Sequence, residues 1–114
     1  MTDAELVDKL MANPNFRWVP GMLNPITRDR LSAQMAEACN RDGRGPAFEL
    51  SDPMTPALLL TLFKGGTTVL LGPEDTGDTH YVCQHRAGDF VAVGQDTSLP
   101  KAIAVCLLRI WYRT

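Results

Sequence analysis

The sequence predicts an α+β fold, a three-stranded antiparallel β-meander covered by about four helices in the order α-α-α-β-β-β-α. Three observations carry that expectation. Apolar residues recur at helical spacing through the first half of the chain. Between residues 67 and 95 the pattern changes to short runs of β-formers separated by glycine-containing turns. From Ser98 helical spacing returns. With 114 residues, 45% of them apolar and 21% charged, the chain can bury one core but is too short for two, so 1–114 reads as a single domain. A net charge of -2 and ordinary apolar content exclude intrinsic disorder, and no segment recurs at a fixed period.

Taken in order, Thr2-Asp3-Ala4-Glu5 has the form of a capping box, with Thr2 as N-cap. A first helix follows with Leu6, Val7, Leu10 and Met11 on one face, and it ends before Asn13-Pro14. Phe16–Leu23 is bracketed by prolines and a glycine, which predicts an extended segment pinned by burial of Phe16 and Trp18. Thr27 is expected to cap a second helix carrying Leu31, Met35 and Cys39 at i, i+4 and i+8, stopped by Gly43 and Gly45. Thr55-Pro56 opens a third helix through Leu58, Leu59, Leu60, Leu62 and Phe63 to Gly65. The strands are Thr67–Leu71, Thr79–Arg86 and Phe90–Gln95. Ser98 caps the last helix, with Pro100 in its first turn and Arg109 and Arg113 near its end, where cations suit the dipole.

That last helix has two apolar faces: Leu99, Ile103, Cys106 and Ile110 on one, Val105, Leu108 and Tyr112 on the other. A helix apolar on two sides needs cover on both; a three-stranded sheet offers limited cover, and the rest comes either from the neighbouring helices or, as is favoured here, from a second copy of the chain. A homo-oligomer, most simply a twofold dimer using this helix, is therefore expected.

Two acids and no basic run among the first five residues argue against a signal peptide. The longest apolar run, Ala57–Phe63, falls far short of the roughly 20 residues of a membrane span. Cys39, Cys83 and Cys106 lack CxxC spacing, and Cys39 and Cys106 sit on apolar helical stripes; both features fit a reduced cytoplasmic protein.

The segments Arg17-Trp18-Val19-Pro20-Gly21-Met22-Leu23, Leu50-Ser51-Asp52-Pro53-Met54-Thr55-Pro56-Ala57-Leu58-Leu59 and Leu99-Pro100-Lys101-Ala102-Ile103-Ala104 are similar to small phage and prophage accessory proteins. The resemblance implies an α-β-α sandwich, a phage origin and residence in the host cytoplasm. The biochemical roles of that group are mostly undefined, although small phage proteins of this size often bind and blunt host defence components, and the resemblance supplies no catalytic residue.

The densest run of reactive side chains is His80–Arg86. Strand alternation places Tyr81, Cys83 and His85 on one face. Two ligands do not make a zinc site, and a nucleophile with its base needs a third, orienting group and an oxyanion hole. The expectation is that Tyr81 and Cys83 pack under the helices with His85 near the edge. No GxSxG, HExxH, Walker lysine or GxGxxG is present, so neither a catalytic set, a metal nor a cofactor is expected. The acidic turn Glu74–Asp78 lacks the length and closing glutamate of a calcium loop.

Arginine outnumbers lysine eight to three. Its planar fork suits phosphate and carboxylate, which makes Arg41, Arg44, Arg86, Arg109 and Arg113 candidates, with Trp111 and Tyr112 beside the last pair for stacking. Trp18 joins them as an aromatic anchor for a partner. The acidic balance leaves no footprint for bulk nucleic acid. The function expected is that of a non-catalytic binding protein or inhibitor. It would occupy a host protein or sequester a small nucleotide-like signal through Arg86, Arg109, Arg113, Trp111, Tyr112 and Trp18. The alternatives are a small enzyme using Cys83, His85 or His80, and a structural phage protein.

Overall fold

The computed structural model describes residues 1–112. Helix α1 (Asp3–Ala12) starts at the expected capping box: the Glu5 amide donates to Thr2 Oγ1 and the Thr2 amide to Glu5 Oε1, both at 3.1 Å. It buries Leu6, Val7 and Leu10. Then come α2 (Ala33–Asp42) and α3 (Thr55–Leu60), followed by β1 (Thr67–Leu71), a four-residue helix α4 (Pro73–Thr76), β2 (Tyr81–Ala87) and β3 (Phe90–Asp96). The chain closes with α5 (Leu99–Trp111). The sheet is an antiparallel meander in the order β1-β2-β3, with Leu70 opposite Cys83 and Cys83 opposite Gly94. The α+β class and the order of helices, then strands, then a helix are as the sequence predicts.

α5 lies across β2 and β3 and is flanked by α1 and α3. It comes close because Gly94 offers no side chain: a Cβ there would stand 2.0 Å from the Ala102 carbonyl oxygen and 2.6 Å from the Cys106 amide. Ala102, Ile103, Ala104, Cys106 and Leu107 are buried along the helix, with Cys83 and Ala92 on the sheet side. The strand residues between them point to the sheet's other face, where Val69 and Val91 are exposed and Gln84 and Val93 half-buried.

Several local expectations are corrected. The second helix is capped by Ser32, whose hydroxyl accepts the Met35 amide, and not by Thr27. Asn24 Oδ1 takes the amides of Ile26 and Thr27, Arg28 adopts a positive φ, and Leu23 bridges to Arg30. Those local bonds turn the chain where a helix would have had to start. Leu31 is then buried outside α2, Met35 is exposed, and Ala36 is the helix's buried residue. α3 ends at Leu60, and the chain reaches Gly65 through i+3 turns at Leu62 and Phe63. Thr55 sits inside α3, its hydroxyl donating to the Glu49 carbonyl at 2.6 Å. β2 starts at Tyr81, because Asp78 holds the Thr79 amide and the His80 ring in a turn. The Ser98 side chain makes no cap; Asp96 Oδ1 accepts its amide instead. His85 lies buried beneath the helices and not near the edge.

Candidate functional site

The face of α5 turned away from the sheet forms a groove with α1. Leu6 of α1 and Val105 and Leu108 of α5 give it an apolar lining, and Lys9, Lys101, Arg109 and Asp96 add charge. It encloses about 550 Å³. Two contacts tie the helices alongside one another. Lys101 Nζ meets Asp3 Oδ1 at 2.9 Å in their first turns, and the hydrogen bond to that carboxylate holds the lysine above its ordinary pKa. At the other end the Tyr112 hydroxyl donates to the Lys9 carbonyl at 3.3 Å. Arg109 Nη1 donates to the Val93 carbonyl on the edge strand β3. In a chain of net charge -2, this groove is lined by three bases and one acid.

The sequence-derived candidates separate in space. Arg109 and Tyr112 line this groove together with the second apolar face, Val105 and Leu108. Trp111 lies on the opposite side of α5, in a cleft with His85. Arg86 is exposed on the outer face of the sheet, opposite Val91, and lines neither cavity. Arg41 contacts Asp42 at 3.9 Å on the surface, and Arg44 is exposed. Arg113 lies outside the described residues.

Trp18 is a core residue with its polar edge satisfied. Its indole Nε1 donates to the Pro46 carbonyl at 2.9 Å, and its ring meets Phe16 edge-on at 5.1 Å between centroids. It is 6% exposed and contributes to the lining of two surface cavities, of about 460 and 510 Å³.

The reactive residues are also apart in their chemistry. Cys83 and Cys106 are both buried at the sheet–α5 interface, where Cys106 Sγ donates to the Ala92 carbonyl at 3.5 Å. The neighbouring Cys106 thiol and burial push the Cys83 thiol far above its usual pKa, away from thiolate chemistry. The His85 ring faces Thr68, not Cys83, with Nδ1 2.7 Å from Oγ1. His80 Nδ1 lies 3.1 Å from Asp78 Oδ2 in an exposed turn, and the carboxylate sits below its ordinary pKa chiefly through the Thr79 amide. Among the described residues no three His, Cys, Asp or Glu side chains gather as metal ligands. No helix among them is long and apolar enough to cross a membrane.

Lys9 and Lys101 are the groove cations that sequence reasoning missed. Each is an ordinary charged position on its own helix, and only the packing of α1 on α5 places both beside Arg109. The single signal available was the second apolar face of the last helix. No family model, curated protein or solved structure matches the chain.

Proposed function

We propose that this chain is a non-catalytic binding protein that occupies a partner protein, taking an acidic, apolar segment of it into the groove between α1 and α5. One observation carries the reading: an apolar groove lined by three bases and one acid in a chain that is acidic overall. Apolar side chains of the partner would lie on Leu6, Val105 and Leu108, and its carboxylates would meet Lys9 and Arg109, in the manner of an amphipathic helix in a groove. Lys101 contributes less, because Asp3 already neutralises it.

A protein segment is favoured over a small nucleotide because the groove lies open at the surface and is not a closed pocket. The likeness of the segments around Trp18 and Thr55 to phage accessory proteins supports a host protein, met in the host cytoplasm, as the partner. A second copy of this chain is the competing occupant, since the groove contains the face that motivates a homodimer.

Photocrosslinking separates these. With benzoylphenylalanine in place of Val105, expressed in the host cell, the adduct should contain a partner peptide rich in Asp, Glu and apolar residues. Lys9→Glu with Arg109→Glu should abolish that adduct. An adduct with the chain itself would assign the groove to self-association. Adducts at position 86 with none at position 105 would sink the proposal.

A further inference from the structure

On the other side of α5, beneath its last turns, a second cleft of about 350 Å³ opens between the helix, the Leu62–Lys64 turn and β2. Its polar lining is Asn15, Lys64 and His85, its aromatic walls are Phe63 and Trp111, and no acidic residue among those described lines it. The odd member is His85, only 2% exposed. Its ring stacks on Phe63, with centroids 4.8 Å apart and planes 24° apart, and its Nδ1 is taken by Thr68 Oγ1 at 2.7 Å.

That leaves Nε2 without a hydrogen bond to any described residue, on a ring that lines the cleft. No side-chain nitrogen or oxygen among the described residues is both fully buried and unpaired, so this nitrogen opens onto the cleft, where an incoming acceptor can meet it. The backbone keeps the space beside it clear. Gly66 has φ +70°, and a Cβ there would stand 3.0 Å from His85 Nε2 and 2.1 Å from the Arg86 carbonyl oxygen.

We propose that this cleft is a binding site for a small aromatic carboxylate, separate from the groove between α1 and α5. With the Thr68 hydroxyl donating to Nδ1, the imidazole proton sits on Nε2 and is donated to one carboxylate oxygen. The Lys64 ammonium pairs with the other oxygen, and the aromatic body of the ligand lies against Phe63 and Trp111. One lysine with no opposing acid matches a monoanion; a phosphate dianion calls for more donors than this lining offers. The volume is at the small end of ligand pockets and suits one or two fused rings.

The test is an NMR titration of the whole chain with benzoate and, in parallel, inorganic phosphate, following the His85 ring nitrogens and the Trp111 indole N–H. Benzoate should move both signals to saturation. Lys64→Gln, an exposed substitution whose folding the same spectra report, should weaken that binding by about tenfold or more, the loss of one charge-assisted contact. Thr68→Val should weaken it as well, by releasing the tautomer that presents Nε2–H. Three results would overturn the assignment: no saturable shift by ~10 mM benzoate, a range that covers even very weak binding; benzoate affinity unchanged in Lys64→Gln; or phosphate binding as tightly as benzoate, which would mean that the aromatic walls contribute nothing.

Discussion

From residue 67 onward the backbone satisfies itself through the β1–β3 ladders and the turns of α5, and the elements then close on one another by apolar contact. Between residues 13 and 54 only α2 is regular, and side chains take over the same task. The Trp18 amide donates to Asn40 Oδ1 at 2.6 Å, while Asn40 Nδ2 donates back to the Trp18 carbonyl at 2.9 Å. Arg30 donates to the Gly21 carbonyl, and Thr55 to that of Glu49. Buried backbone groups need partners wherever they are. The difference between the halves is whether a repeating backbone geometry provides them or individual polar side chains do. One half should therefore fail through steric overfilling, the other through loss of single side chains.

The largest effect is expected where α5 meets the sheet. Gly94→Val places a Cβ 2.0 Å from the Ala102 carbonyl oxygen, where only backbone could give way, so α5 has to lift off β3. The variant should not fold, or should lose more than ~4 kcal/mol in urea denaturation, at the extreme of single substitutions. Val93→Ala, next to it but on the outer face, should cost under about 1 kcal/mol. Near-native stability of Gly94→Val would mean that close backbone contact does not hold this half together.

The two halves also differ in what the sequence discloses. β1 is legible to the residue because Thr67–Leu71 is short, β-rich and fenced by glycines, and the faces of β2 follow from its alternation. The capping box of α1 needs only positions 2 and 5. Nothing comparable marks the pairing of Trp18 with Asn40 and Pro46, or of Arg30 with Asp52, since these partners lie 22 or more residues apart and follow no period. The helix-like spacing of Leu31, Met35 and Cys39 misled for the same reason: Asn24 and Ser32 are local competitors that a hydrophobic count does not weigh. In the groove, the α5 face was legible and the α1 lysine was not. In the second cleft, the buried position of His85 depends on the Phe63 turn folding over it, which no strand pattern encodes.

Trp18→Ala probes the irregular half and should rank second. It empties the space under Gly45, removes the edge contact with Phe16 and leaves the Pro46 carbonyl without its indole donor. A cost of about 3–5 kcal/mol is expected for truncating a buried tryptophan. Trp18→Phe keeps most of the ring but still leaves that carbonyl unpaired, so it should cost about 1–3 kcal/mol. A loss below about 1 kcal/mol for the alanine variant would show that residues 13–54 are held by their polar bonds alone.

Asp52 supplies the smallest and most specific comparison. Its carboxylate accepts both terminal nitrogens of Arg30, at 2.9 and 3.0 Å, and the Met54 amide at 3.2 Å. Chiefly because of the arginine, its pKa in the folded chain lies below the ordinary 3.8. A carboxyl whose pKa is lowered by folding adds stability that is fully present above its unfolded pKa and is lost as pH falls through the folded value. Wild-type stability should therefore decline below about pH 4, the unfolded aspartate range. Asp52→Asn should be less stable than wild type at pH 7 and close to it near pH 2. Arg30 is 44% exposed, so solvent screens the pair and the difference at pH 7 should be well short of the Trp18→Ala effect. Glu5 and Asp78 also have lowered pKa values, but both remain in the variant, so the difference between the two pH profiles isolates Asp52. If that difference were the same at both ends of the pH range, the Arg30–Asp52 contact would act by shape and not by charge. The irregular half would then rely on packing much as the sheet half does.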